Sequence, residues 1–119
     1  MRRFVRAVVS NAVVTSADSG SPVSMRLDPL LLAAAGLLPF EEVEIVSVAT
    51  GERLATYVEP GAKGEVRVHS GTIRHVRIGE TVSILSYGLL HDGQTLNHAA
   101  RVVTVGAGNE VVAVEEVQS

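Results

Sequence analysis

The sequence EVEIVSVATGERLATYV, residues 42–58, consists of two apolar, β-branched runs separated by a turn signal. Residues 42–48 and 53–58 have the composition of strands, and Gly51 lies among the four residues between them. Apolar runs rich in valine and isoleucine, on either side of a short connection that contains glycine, are typical of paired strands. The stretch therefore predicts a β-hairpin.

Further strand signals lie on both sides of this hairpin. Asp28 and Pro29 predict the start of a helix, as N-cap and first-turn proline, and Gly36 predicts its end. Residues 18–22 predict a turn, and residues 70–76 a helical turn. Seven or so short strands with one helix predict a mainly β fold, a small barrel. The additional strands are predicted at residues 4–14, 23–27, 65–69, 81–85, 100–105 and 111–117.

Composition restricts the class of protein. The length of 119 residues predicts a single domain that spans residues 1–119, and the 3% aromatic fraction predicts an aliphatic core. The net charge of −3, with both signs interspersed, argues against a nucleic-acid partner. The absence of cysteine excludes disulfides and thiol catalysis. No apolar run approaches the roughly 20 residues of a membrane helix, so we expect a cytoplasmic protein with no membrane partner.

Three other patterns favour structural roles over functional ones. None of the four histidines has the three- or four-residue helical spacing of a metal site, and no carboxylate cluster accompanies them, so no metal is predicted. The glycines at 106 and 108 precede a strand, which indicates a hairpin turn and not a phosphate-binding loop. The acidic residues at 41–44 and 115–116 predict solvated edge strands.

Three segments, taken in order, resemble the aspartate 1-decarboxylase family. They are VTSAD at residues 14–18, followed by Asp28 and its helix; GERLATY at residues 51–57, the most specific of the three; and Ser70-Gly71, followed by IGETV at residues 78–82. The resemblance implies a double-psi β-barrel with one or two short helices, assembled as a tetramer with active sites between subunits. It also implies self-cleavage before a serine, which leaves a pyruvoyl group that serves as the electron sink for decarboxylation.

The resemblance assigns roles to four residues of this chain. Arg53 matches the arginine that holds the substrate carboxylate, a task suited to its planar fork of donors. Thr56 matches the threonine that hydrogen-bonds the carbonyl attacked during self-cleavage, and Tyr57 matches the tyrosine that reprotonates the product. Ser24 stands at the cleavage serine. By the two-residue period of a strand, Arg53 and Tyr57 share one face and Thr56 lies on the other.

Several positions differ from the family pattern. Val23 replaces the glycine before the cleavage serine, and a β-branched residue resists the backbone angles that the acyl shift requires. Val8 replaces a substrate-binding lysine and Ser10 replaces a histidine. Ser70 replaces an asparagine of the family pattern.

Two further positions add alternatives. His69, next to Ser70, would point into the altered pocket if the strand register shifts by one residue. Ser21 stands where the family has a tyrosine. It follows Gly20, so the Gly-Ser pair provides an alternative cleavage site. The composition of the surrounding residues is also typical of a simple turn.

These matches and departures lead to one main hypothesis and two alternatives. We expect an enzyme that does not process itself, has no cofactor, and acts on a small carboxylate-bearing metabolite in a lyase, isomerase or cyclase step. Its substrate-binding residues would be Arg53, Ser70, His69 and Ser10. One alternative is a pyruvoyl-dependent amino-acid decarboxylase, self-cleaved before Ser24 or Ser21. The other is a non-catalytic barrel that binds a ligand or partner.

Overall fold

The computed structural model of the chain describes residues 1–18, 24–69, 76–91 and 98–118. These residues form nine strands, one α-helix and a short 3-10 turn at Ala107–Asn109. The helix α1 spans Pro29–Ala35. The strands are β1 Arg2–Val13, β2 Ser16–Asp18, β3 Met25–Leu27, β4 Glu42–Ser47, β5 Arg53–Pro60, β6 Val66–His69, β7 Thr81–Leu90, β8 Ala99–Val105 and β9 Val111–Gln118.

The strands make one curled sheet with the shape of a half-barrel, in the order β2-β6-β3-β5-β4-β7-β1-β8-β9. The hairpins β4–β5 and β8–β9 are antiparallel, as the sequence predicts. Three pairs are parallel and join distant parts of the chain: β1 with β8, β2 with β6, and β3 with β5. The mainly β, barrel-type fold with one helix is therefore confirmed.

The core is aliphatic and lies on one side of the sheet. In β1, Ala7 and Val9 are buried while Val8 and Ser10 alternate with them on the opposite face. The core has no aromatic member among the described residues, in agreement with the composition. Its fully buried larger side chains are Met25, Leu27, Leu31, Ile45, Ile84, Val9, Val14, Val43, Val58, Val66 and Val68.

Helix α1 begins and ends where the sequence predicts. The Asp28 carboxylate accepts hydrogen bonds from the backbone N–H of Leu30 at 2.8 Å and of Gly64 at 2.7 Å, so one side chain caps the helix and holds a distant loop. Gly36 ends the helix with φ 69°, a left-handed conformation that glycine adopts without strain. The helix buries Leu31 against the sheet.

The sequence prediction for residues 41–44 was wrong. Strand β4 lies between β5 and β7 and has neighbours on both sides, so it is not an edge strand. Its acidic side chains are explained by alternation: Val43 and Ile45 enter the core, and Glu44 faces the other way. By contrast β9, which carries Glu115 and Glu116, is the last strand of the sheet, as predicted.

Two smaller differences concern the ends of elements. Strand β7 continues to Leu90, five residues beyond its predicted end, because it pairs with β1 along almost its whole length. The predicted turn at residues 18–22 and helical turn at residues 70–76 fall mostly outside the described residues. None of the described residues belongs to a helix that is long and apolar enough to cross a membrane.

Candidate functional site

Strand β5 places the motif residues 53–57 on the two faces of the sheet in alternation. Val58 is fully buried and Leu54 packs against the core, so these positions and Thr56 between them belong to the core side. The pairing of β5 with β4 is regular from Arg53 to Tyr57, which places those two residues together on the opposite face. They lie four residues apart, about 13 Å along the strand.

Arg53 lies in a small polar network on this face. Its guanidinium donates a hydrogen bond to Glu44 Oε1 at 2.8 Å, and the Tyr87 hydroxyl donates to the same oxygen at 2.8 Å. The Arg53 side chain is still 58% exposed. A guanidinium has five N–H donors, so this geometry leaves Arg53 able to bind an anion while Glu44 orients it.

An open cavity adjoins this network. It is lined in part by Arg3, Glu42, Glu44, Ala55 and Tyr87. The hydrogen bond to the Glu44 carboxylate, followed by burial, raises the pKa of Tyr87. The Arg3 guanidinium lies 3.9 Å from the centre of the Tyr87 ring, a cation–π contact. The hydrogen bond to Glu44 and burial favour the protonated phenol as a hydrogen-bond donor, whereas the positive charges of Arg53 and Arg3 lower the pKa of Tyr87.

Ser24 is buried and its hydroxyl is directed at a carboxylate. It is 1% exposed and donates a hydrogen bond of 2.7 Å to Glu59 Oε2. The parallel pairing of β3 with β5, in which Met25 lies opposite Val58, brings the residue before Met25 to the level of Tyr57. The structure therefore brings Ser24, Tyr57 and Glu59 to one part of the sheet.

Glu59 is the residue of this group that sequence reasoning missed. Its signal was weak: a carboxylate two residues after Tyr57, on the same side of a strand. Only the pairing of β3 with β5 reveals that it meets Ser24, which is 35 residues away in the sequence.

Ser10 and His69, two other predicted site residues, lie on strands other than β5. Ser10 is on β1, opposite Thr104 of β8, and three strand spacings, or about 14 Å, separate β1 from β5. His69 is on β6, opposite Asp18 of β2. Ser70 and Ser21 lie outside the described residues. Within one chain, Ser10 and His69 therefore do not join Arg53, but the antiparallel register of β6 with β3, in which Arg26 lies opposite Arg67, places His69 at the level of Ser24.

No group of three or more histidine, cysteine, aspartate or glutamate residues is arranged to hold a metal ion in the part of the chain that the structure describes. Ser24 fits the serine from which a pyruvoyl group would form, because its hydroxyl faces a carboxylate. Val23 does not fit, since it replaces the glycine that the acyl shift requires. The residues present thus match self-processing only in part.

Comparison with known proteins gives a consistent result over nearly the whole chain. A family model described as aspartate decarboxylase matches residues 1–112. A protein of Campylobacter hominis named aspartate 1-decarboxylase is 33% identical over 109 residues, which cover 92% of this chain and 96% of that protein. One of Bdellovibrio bacteriovorus with the same name is 38% identical over 108 residues, or 91% of this chain and 87% of the relative.

Proposed function

Because this chain belongs to the aspartate decarboxylase family, we propose that it is a member with an altered active site, which acts on a small carboxylate-bearing metabolite without forming a pyruvoyl group. The observation that carries the proposal is the placement of Arg53. Its side chain is 58% exposed on the sheet face that it shares with Tyr57. That face also holds Val8, where the family has a lysine.

In the proposed site, Arg53 binds the substrate carboxylate through paired N–H donors, the geometry in which guanidinium groups bind carboxylates best. Glu44 orients the guanidinium by accepting one of its N–H groups. Tyr57 acts as the proton donor or acceptor, the role that family resemblance assigns to it. Val8 replaces a cation with an apolar group, which suits a larger or less charged substrate than aspartate. The reaction is a lyase, isomerase or cyclase step.

We further propose a cytoplasmic homotetramer. Arg53 and Ser10 are separated by about three strand spacings within one chain. Active sites formed between subunits, as the family resemblance implies, would allow residues from two chains to meet. Light scattering at micromolar concentration tests the assembly, and a monomer mass would contradict it.

The test of substrate binding is a titration with succinate and L-aspartate as probes, followed by NMR. We expect Arg53→Ala to weaken carboxylate binding by about 10- to 100-fold, since a charge-assisted hydrogen bond contributes about 1.5–3 kcal/mol. Arg77→Ala is the matched control, because Arg77 is exposed and lies outside the proposed site. Equal binding by the two variants would remove Arg53 from the site.

A second candidate is a pyruvoyl-dependent decarboxylase, self-cleaved before Ser24 or Ser21. It is favoured by relatives that are named aspartate 1-decarboxylase and cover more than nine-tenths of the chain. The intact mass of the purified protein separates the two candidates. A single species near 12.5 kDa, with no β-alanine formed from L-aspartate, supports our proposal. Two fragments with turnover above a heat-killed control would replace it with the second candidate.

A further inference from the structure

Phe40 holds a backbone conformation that phenylalanine rarely adopts. Its φ angle is 69°, in the left-handed region that glycine and asparagine accept with less strain. For a bulky residue this region is an outlier, and such strain persists where the surrounding structure fixes it, often at ligand-binding and active sites. Phe40 is also 70% exposed, so burial of its ring within the chain does not offset the strain.

The turn that carries Phe40, residues 38–41, is held against strand β5. The backbone N–H of Phe40 donates to the carbonyl oxygen of Val58 at 2.8 Å, and the N–H of Val58 donates to that of Glu41 at 3.1 Å. Within the turn, the Glu41 carboxylate accepts from the backbone N–H of Leu38 at 3.1 Å. Because these bonds fix the backbone, the left-handed angle belongs to the turn and not to the phenylalanine side chain.

The exposed ring of Phe40 lies beside Tyr57. The centres of the two rings are 6.0 Å apart and their planes are inclined by 37°, a geometry in which aromatic rings attract each other. Tyr57 belongs to the face of the sheet that also carries Arg53. The ring of Phe40 therefore extends the proposed site beyond the motif at residues 51–57.

The spacing between Arg53 and the two rings sets the size of a ligand that contacts both. The Arg53 guanidinium bonds to Glu44, which lies opposite Ala55 in the pairing of β4 with β5. Ala55 and Tyr57 are two residues apart, or about 7 Å along the strand. Ala55 is exposed and lines the open cavity, and its small side chain leaves this stretch of the surface uncovered. A ligand whose carboxylate is bound by Arg53 therefore has room for a further group that reaches the rings.

Two apolar side chains lie on the same face, on the far side of Glu44. Val8 of β1 is opposite Leu85 of β7, and Leu85 is in turn opposite Glu44 of β4. Residues directly opposite each other on neighbouring strands point to the same face of a sheet. One of these apolar residues, Val8, stands where the family has a lysine. The face that carries Arg53 thus favours a substrate with an apolar part.

The distribution of aromatic residues agrees with this interpretation. The chain contains two phenylalanines, two tyrosines and no tryptophan. Phe40 and Tyr57 form the ring pair, and Tyr87 lines the open cavity. Phe4 contacts the ring of His98 instead. Most of the aromatic side chains of this chain are therefore gathered at the proposed site, where flat apolar surfaces can contact a ligand.

We propose that Phe40 determines substrate specificity: together with Tyr57 it binds the planar, apolar part of a substrate whose carboxylate is bound by Arg53. The inference rests on the proposed function and narrows its substrate class to carboxylic acids that carry an aryl or similarly flat group. Contact between that group and the ring of Phe40 is the reason for a phenylalanine at a position where the backbone favours asparagine or glycine.

The experiment compares two ligands that share one chain of atoms. Succinate has a second carboxylate where 3-phenylpropionate has a phenyl ring, and both are titrated by NMR against the unaltered protein and its variants. We expect Phe40→Asn to weaken binding of 3-phenylpropionate by about 10-fold, the effect of losing an aromatic contact, and to leave succinate binding unchanged. Phe40→Tyr keeps the ring and should keep the affinity for 3-phenylpropionate.

Leu38→Asn is the matched control. Leu38 is 69% exposed and lies in the same turn, but its side chain is not aromatic. The variant should bind both ligands as the unaltered protein does. Thermal unfolding adds a second measurement: because asparagine adopts the left-handed region more readily than phenylalanine, Phe40→Asn should not lower the Tm. A lower Tm would overturn the inference, since the ring of Phe40 would then stabilise the fold.

The outcomes separate this inference from the proposed function. Unchanged binding of 3-phenylpropionate by Phe40→Asn would overturn the inference, and so would equal weakening of both ligands, because the ring would then not discriminate between them. A smaller mass for Phe40→Asn in light scattering would overturn it as well, since Phe40 would be a subunit contact. Equal succinate binding by Arg53→Ala and the unaltered protein would instead contradict the proposed function, and the Phe40 variants with 3-phenylpropionate would still decide the inference.

Discussion

Replacing Asn109 with alanine removes three hydrogen bonds made by one buried side chain. Asn109 is 3% exposed and connects the turn before β9 to two other segments. Its Oδ1 accepts from the backbone N–H of Val13 at 2.8 Å, and its Nδ2 donates to the carbonyl oxygens of Val13 at 2.9 Å and Gly64 at 3.0 Å. The variant would leave three backbone groups without these partners.

The decrease in the free energy of unfolding expected for Asn109→Ala follows from the cost of leaving buried groups without hydrogen bonds. Each bond contributes about 1 kcal/mol net, and a buried group left unpaired costs about 1–3 kcal/mol. Three bonds therefore give a decrease of about 3 kcal/mol in the free energy of unfolding. For a domain near this size, such a decrease lowers the Tm by about 12–24 °C.

A matched control separates the hydrogen bonds from the backbone conformation. Asn109 has φ 58°, a left-handed conformation that asparagine tolerates better than alanine. Asn11 has φ 69° but is exposed, so Asn11→Ala has the same conformational cost without the buried bonds. We expect Asn11→Ala to lose about 1 kcal/mol.

Urea denaturation of both variants at one fixed protein concentration measures the difference, because the stability of an oligomer depends on concentration. A loss for Asn109→Ala that is larger than that for Asn11→Ala by about 3 kcal/mol supports the reasoning. Equal losses in the two variants would refute it, since the three bonds would then contribute nothing.

Three further predictions concern stability. Burial raises the pKa of Glu41, but hydrogen bonds, led by that from Ser86, lower it overall. The stability that the ionised Glu41 carboxylate contributes is therefore present above its unfolded-state pKa and is lost as the pH falls through its folded-state pKa. The free energy of unfolding, measured as a function of pH, should accordingly change less steeply for Glu41→Gln below about pH 4.5. Asp28→Ala should cost about 1–2 kcal/mol in urea denaturation, and Asp28→Asn less, because the amide keeps one acceptor for either Leu30 or Gly64. Ile45→Ala, in the interior of the sheet, should cost about 2–5 kcal/mol, and a loss below 1 kcal/mol would contradict its burial at 1% exposure.

The features that the sequence predicted correctly depend on neighbours in the chain. Asp28, Pro29 and Gly36 set the ends of α1 because capping is a local interaction between a side chain and backbone groups a few residues away. The hairpin β4–β5 follows from two strand-forming runs and the turn between them. The motif at residues 51–57 likewise indicated the family, which the match over residues 1–112 confirms.

The tertiary structure alone decided which strands lie side by side. The alternation of apolar and polar residues determines which face of β4 is buried. An edge strand and an interior strand can show the same alternation, so the pattern did not predict that β4 lies between β5 and β7. The contact of Ser24 with Glu59 has the same origin, since it depends on the parallel pairing of β3 with β5. The sequence by itself therefore determined the helix, the hairpins and the family, because these depend on local preferences and short motifs. The sheet order and the serine–carboxylate pair depend on contacts between distant segments, and the free energy of those contacts is set by the packing of the whole chain.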